Sequence, residues 1–507
     1  MLRAIRSVAM ILAILAATAG VGLAARAQAW AAGERDVTIA QGIDAEFLDV
    51  QMTNNIVTMI INGSIYDTLL TRDKQLQIVP HLATSYKLVG EKVWEVKLRQ
   101  GVKFHNGEPF DAGAVKFSFE RINRADFKSP QKGWFGTLER VEIVDPSTVL
   151  FHTKVPDPAM PARMTLMYQM APKYIGQAGD VQANLKPVGT GPFKFVEWQK
   201  NERIVVEAND AHWTGKPAVR RATWRPIPEL GARIAALQTG QADLIVNVPP
   251  DQVPALATSR SVRIEKTPSC RIISFAIAQI KGGPLADKRV RQALNHAVDM
   301  QGILDAVLLG NGKRLNSWMP PNVWGHDPSI PFYEYNPKKA KELLAAAGQT
   351  NLTLTIQAPN GRWAMDKDIA QAVAGQLSEN GIKTNVKVIG EWGAYVRTIL
   401  DHKTEDIAMS GWCLPSLEPD HWVTPNLKTG EPVSQYSNPE VDKLMEQARA
   451  EMNPDKRKQL YSHLLRVIRD EAPYIFGYQQ MDIYGVNNRL KWTPRGDESI
   501  RLTEIGF

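Results

Sequence analysis

Trp94-Glu95-Val96-Lys97-Leu98-Arg99-Gln100-Gly101-Val102-Lys103-Phe104-His105-Asn106-Gly107-Glu108-Pro109-Phe110 packs several local signals into one short run. Trp94, Val96 and Leu98 alternate with Glu95 and Lys97, the period-two pattern of a strand with one buried face. Gly101 ends that strand, and Phe104-His105-Asn106-Gly107 has the composition of a tight turn. Just beyond, Asp111 is placed to cap a helix in which Val115, Phe119 and Ile122 share a face. Upstream, Leu82 to Val89 reads as a partner strand, so the two form a hairpin-like pair.

Working outward, a chain of 507 residues exceeds what one hydrophobic core supports, and two or three domains are expected. A composition of 44% hydrophobic and 22% charged residues, with no low-complexity tract, is that of a soluble globular protein. The formal net charge is +7, but Arg3, Arg6 and Arg26 fall in the first 29 residues, which hold no acid. The mildly basic remainder has no dense Lys/Arg run to track phosphates, so no nucleic-acid partner is expected. Residues 1–29 read as a secretory signal peptide. Arg3 and Arg6 form its positive region, Val8 to Leu15 its apolar core, and Ala27-Gln28-Ala29 its small-x-small cleavage site. The apolar run is short for a membrane anchor, and no Cys lies near the cut for lipid attachment. The mature protein is expected to be soluble, periplasmic and not lipid-anchored.

The two Cys are Cys270 and Cys413. An oxidising compartment favours a disulfide between them, which the chain-entropy argument values at up to roughly 4–5 kcal/mol for so long a loop; two separate buried Cys acting as small hydrophobes are the alternative. Val37 to Ile43 reads as a first strand and Asn54 to Leu70 as a helix. Lys288 to Leu309 reads as a helix with Val290, Leu294 and Val298 on one stripe. Asn336-Pro337 opens another, closed by Gly348. Leu352 to Gln357 and Ile382 to Ile389 read as strands around a helix from Asp366 to Asn380, and Asn438-Pro439 and Asn453-Pro454 start two more helices. This alternation predicts an α/β fold. Gly411 to Trp422, GWCLPSLEPDHW, then abandons all periodicity after an apolar strand end, Asp406 to Met409. Pro415 and Pro419 argue against a helix interior or a central strand there. A loop so rich in aromatic and polar groups suits a ligand; a rigid loop covering core is the alternative.

Trp94 to Phe110, with the helix to Arg121, closely resembles the signature of the family 5 extracellular solute-binding proteins, the peptide- and nickel-type receptors of ATP-binding-cassette importers. Gly189-Thr190-Gly191-Pro192-Phe193-Lys194-Phe195, with Asn209 to Trp213 and Gly215-Lys216-Pro217, is similar to a second block. Ala235 to Asp243, Pro284 to Asp299 and Asn336 to Gly348 are similar to others, in the same order. The resemblance implies a two-lobed periplasmic-binding-protein fold of type II, in the large cluster with an extra inserted subdomain. Two hinge crossings are expected near Lys266-Thr267-Pro268 and Tyr478 to Asp482. Lobe I would hold residues 30–265 plus 482–507, with 70–188 inserted, and lobe II residues 266–481. Both Cys would then lie in lobe II, which supports the disulfide. The implied activity is capture of a peptide or peptide-like solute by a monomer, without cofactor or catalysis, and delivery to a membrane permease driven by ATPase subunits.

In peptide-binding relatives, an Asp three residues after the Trp that matches Trp412 receives the ligand's α-amine. Pro415 stands at that position and makes no charge-assisted bond. Glu418 or Asp420 takes over, or the ligand has no amine at that end. The Gly411-Trp412 and Pro415-Ser416 pattern looks more like the glutathione-binding and other non-standard branches. Trp412 would stack on the ligand, with a core Trp as the alternative; Cys413 and Ser416 share its loop. Trp392 and Tyr395 follow a strand end and would face the cleft. Asn54 and Asn55 start a helix whose amides would meet a carboxylate. Arg271 and Arg362 are candidate carboxylate partners, or else solvated surface charges. A glutathione-like, sugar or metal-chelate ligand, a sensory binding module and a periplasmic hydrolase are the other readings. The chain has no HExxH, no Gly-x-Ser-x-Gly, no Walker-type loop and no Cys pair at zinc spacing, so no catalytic or metal-ligating residue is assigned.

Overall fold

Two long strands, Val262–Ile277 and Tyr474–Asn487, run antiparallel through the middle of an eleven-stranded mixed sheet. Ser269 to Ile277 is buried without a break, as a strand covered on both faces must be. The computed structural model describes residues 33–507; the leader read over residues 1–29 lies outside the described residues.

On one side of the two long strands the order continues through Leu244–Ile245, Asp36–Gln41, Arg221–Pro226, Arg203–Ala208 and Phe193–Gln199. On the other side come Ile407–Trp412, Thr353–Pro359 and Lys383–Ile389. Each side contains parallel pairs, Asp36–Gln41 with Arg221–Pro226 and Thr353–Pro359 with Lys383–Ile389. The central strands are therefore shared by both halves, and their pairing shifts register between Pro268 and Ile272 and between Ile273 and Phe275. Among the described residues no helix is long and apolar enough to cross a membrane.

The hairpin of the opening segment is present. Ala83–Gly90 pairs with Val93–Leu98 in a separate antiparallel sheet completed by Thr148–Thr153 and Leu138–Asp145. Trp94, Val96 and Leu98 are buried, and Asp111 caps helix Ala112–Asn123 by accepting from the Ala114 amide at 3.2 Å. Asn336, Asn438 and Asn453 each cap a helix that begins with proline.

Three expectations need correction. The helix read over Asn54 to Leu70 is only Ile56–Asn62; Gly63 closes it, and Leu70–Arg72 is a strand. The helix read over Lys288 to Leu309 is two, Lys288–His296 and Met300–Val307, because Asp299 caps a fresh start by accepting from Gly302. Gly411 to Trp422 is not one loop. Gly411 and Trp412 end strand Ile407–Trp412, and helix Asp420–Leu427 begins straight after Pro419, where proline's missing amide costs nothing. Pro425, inside that helix, donates nothing to the His421 carbonyl four residues back. The Trp412 indole N–H donates to that carbonyl instead, at 2.8 Å.

The Gly189-Thr190-Gly191-Pro192 segment passes against the backbone of residues 64–65. Gly191 N donates to Ile65 O at 2.9 Å, and a Cβ on Gly191 would lie 2.5 Å from the Ile65 carbonyl carbon. Backbone cannot move aside as a side chain does. Gly191→Ala is expected to destabilise the protein by about 1–3 kcal/mol or more, read as a lowered urea midpoint at an unchanged slope. A midpoint equal to wild type would remove the steric argument.

Candidate functional site

Strand Ile407–Trp412 carries Trp412 to the wall of a cavity of about 600 Å³. Its residues pair with the central strand, Trp412 opposite Ile272 and Gly411 opposite Ile273. Cys413 is joined to Cys270 by a disulfide with Cα atoms 5.3 Å apart, so the wall is tied covalently to the same strand. Gly411 has a steric reason. A Cβ there would lie 2.5 Å from the Trp363 ring and 2.8 Å from Ile273 Cδ1. Without one, Trp363 closes onto the strand.

Trp363 meets Trp392 edge to face, centroids 5.7 Å apart, and Trp392 stacks on Tyr395 at 5.6 Å. Arg362 lies against both indoles, 5.2 Å from the Trp392 centroid and 5.7 Å from that of Trp363. Among the described residues its guanidinium has no hydrogen-bonding or ion-pair partner, and its Nε is buried. Burial, then neighbouring Arg271, pushes its pKa down to about 10. Keeping such a cation desolvated and unpaired is costly unless an anion arrives.

Arg271 is neither a free ligand partner nor a solvated charge. It is buried, and both oxygens of Glu498 accept from it, Oε1 from Nε at 2.7 Å and Oε2 from Nη2 at 2.5 Å. Asn54 is exposed at the cavity wall. Asn55 is the N-cap of Ile56–Asn62, accepting from Val57 N at 3.0 Å, and its amide donates to Glu46 at 2.9 Å. Trp392 and Tyr395 sit not in a loop but in the first turn of helix Trp392–Leu400, capped by Glu391. Trp392 is half-buried in the wall; Tyr395 is fully buried behind it and donates to the Met409 carbonyl.

The acids of the Gly411 to Trp422 stretch are already engaged. Glu418 is buried against Arg457 and does not line the cavity. Asp420 is 3% exposed and accepts from Arg163 Nη2 at 2.8 Å, Arg449 Nε at 2.9 Å and the Thr424 hydroxyl at 2.6 Å. Burial alone would raise its pKa, but Arg449 and Arg163 outweigh burial and hold the carboxyl below the usual range. Ser416 is fully buried, 2.7 Å from His421 Nδ1. Arg163 Nη1 donates to His421 Nε2 at 2.9 Å, which leaves the ring proton on Nδ1 to donate to Ser416. Burial and then Arg163 push the His421 pKa down to about 3. Neither Glu418 nor Asp420 is free to replace the acid that Pro415 lacks, and Ser416 does not reach the cavity.

Trp363 and Glu46 line the cavity without having been singled out in the sequence. Trp363 had a signal, since it adjoins Arg362 just after strand Thr353–Pro359. Glu46 had none, lying in a polar stretch with no periodicity.

The chain matches the family described as bacterial extracellular solute-binding proteins, family 5 Middle, over residues 77–432. It is 30% identical over 465 residues to the glutathione-binding protein GsiB of Pectobacterium atrosepticum, covering 88% of each chain. It is 30% identical to the oligopeptide-binding protein AppA of Bacillus subtilis, covering 86% of this chain and 85% of that protein. The solved structure of the ABC transporter-associated periplasmic binding protein DppA from Helicobacter pylori, in complex with the peptide STSA, superposes with a TM-score of 0.86 at 26% identity. The match covers 93% of this chain and 98% of that one.

Beside the cavity, a pocket of about 60 Å³ brings Asp482 of the central strand close to Glu498, Arg271 and Arg362. Burial, then Glu498, raises the Asp482 carboxyl to about 7, well above the unfolded value of about 3.9. Its contribution to stability is thus fully present below about pH 4 and is lost as the pH rises to about 7. Asp482→Asn is expected to raise the melting temperature relative to wild type at about pH 8, with the gain shrinking toward pH 4. A gain independent of pH would contradict this.

Proposed function

The chain belongs to the bacterial extracellular solute-binding proteins of family 5, the solute receptors of ABC importers, and from that premise we propose that it captures a carboxylate-bearing, peptide-sized organic solute. The observation that carries the reading is Arg362, a guanidinium without an ion pair among the described residues, lying against two indoles in a 600 Å³ cavity. Its planar fork suits a carboxylate, and Trp363, Trp392 and Trp412 suit the flat or apolar body attached to it. The protein acts as a binder without turnover. The relatives named above are binding proteins, two by name for glutathione or oligopeptides.

In this reading lobe I is residues 30–265 with 482–507, lobe II is residues 266–481, and the central strands cross between them near 266–268 and 478–482. A ligand that touches both lobes only when the cleft is shut favours the closed form. The closed monomer is presented to a permease driven by ATPase subunits, after export to the periplasm directed by residues 1–29. A micromolar affinity corresponds to about −8 kcal/mol, within reach of one charge-assisted pair and stacked rings.

Native mass spectrometry of the mature protein, with fragmentation of any co-purified small molecule, identifies the solute. Arg362→Gln is expected to weaken its binding by roughly 10- to 100-fold, the worth of one charge-assisted contact, with the melting temperature of the free protein kept or raised. Unchanged affinity would sink the carboxylate reading. Trp412→Ala is expected to weaken binding by about tenfold or more while the protein stays folded. Lost thermal stability at unchanged affinity would assign Trp412 to the core.

A further inference from the structure

With the internal ion pairs set aside, four charged side chains on the cavity wall have no ion pair among the described residues: Lys132, Arg362, Glu46 and Glu431. Asp420 belongs to Arg163 and Arg449, and Arg271 to Glu498. Arg362 remains on the wall built after strand Thr353–Pro359. Glu46 remains on the wall built after strand Asp36–Gln41, in the other half of the main sheet.

The Glu46 carboxylate is held but not neutralised. Its Oε1 accepts from the Asn55 amide at 2.9 Å and its Oε2 from the Thr53 hydroxyl at 3.1 Å. Among the described residues it has no ion pair, whereas the buried acids Asp49, Glu418 and Asp497 each have an arginine. A carboxylate has about four acceptor positions; two neutral donors fill two and orient the group, and the side chain is exposed at the cavity wall. Glu46 is also close enough to Arg362 to favour the charged guanidinium, though the two do not touch.

We propose that Glu46 receives the cationic group of the ligand, so that the solute is a zwitterion with its carboxylate at Arg362 and its ammonium at Glu46. This rests on the carboxylate reading of the cleft. It moves the amine acceptor from the loop where Pro415 stands to the opposite wall, and makes the two charged ends of the solute bridge the halves of the fold. Glu431, the other cavity acid without an ion pair among the described residues, provides the control. Burial raises its carboxyl, and its charged neighbours are Lys428, Arg449 and Asp420 rather than Arg362.

Quenching of tryptophan fluorescence by Ala-Phe, by glutathione and by the N-acetylated form of each tests this. At least one free peptide is expected to bind saturably, and its acetylation to weaken binding tenfold or more. Glu46→Gln removes the charge but keeps one acceptor oxygen for the Asn55 amide, and its new NH2 can donate to the Thr53 hydroxyl; it is expected to weaken the free peptide by a similar factor and leave the acetylated one unchanged. Glu431→Gln is expected to change neither. Equal binding of free and acetylated peptide, a loss that follows Glu431→Gln instead, or no binding of either free peptide overturns the proposal. The carboxylate reading is judged separately: it survives if Arg362→Gln weakens whichever probe binds, and fails with an unchanged affinity.

Discussion

A buried guanidinium, Arg163, fixes which charges the cleft has left to offer. It donates to Asp157 at 2.8 Å, to Asp420 at 2.8 Å, to His421 and to the Trp134 carbonyl. Each partner is thereby fully engaged, as buried polar groups must be. Arg163 belongs to helix Met160–Met164, shortly after the small antiparallel sheet, while Asp420 and His421 open helix Asp420–Leu427. The same contact therefore docks two parts of the chain and withdraws an acid and an imidazole from ligand chemistry.

With those groups withdrawn, the cavity wall consists of aromatic faces and, among the described residues, a few charges without an ion pair, Arg362 foremost. The indole stack depends on the missing side chain at Gly411, and the position of Trp412 on a carbonyl that Pro425 leaves vacant. Both are consequences of an absence, of a Cβ in one case and of an amide hydrogen in the other. Proline and glycine, which in sequence look like marks of an irregular loop, here build a wall.

The central strands carry a second charge cluster at the point where the halves of the sheet meet. Arg271, Glu498 and Asp482 lie beside Arg362 in a small buried pocket. Glu498 takes Arg271 and disfavours ionisation of Asp482, and among the described residues no carboxylate is hydrogen-bonded to the Arg362 guanidinium. The electrostatics of the crossing strands and of the cavity beside them are thus one system.

What the sequence determined by itself was local or repeated along the chain. The ordered family blocks were legible as a resemblance, while the helix caps at Asp111, Asn336, Asn438 and Asn453 and the hairpin of Trp94 follow from partners a few residues apart. Such bonds are written in the spacing itself. The disulfide was legible as well, because only two Cys exist to form it. Trp412 and Trp392, read from strand ends, and Arg362, read as a candidate carboxylate partner, all line the one cavity. The fate of the charges was not legible. Asp420 is neutralised by Arg163 from 257 residues away and Arg271 by Glu498 from 227, while Glu46 gains no arginine. Whether an acid is free to meet a ligand depends on which cations the fold brings within hydrogen-bond reach. Only the tertiary structure decides that, because Coulomb interactions follow distance in space and not distance along the chain.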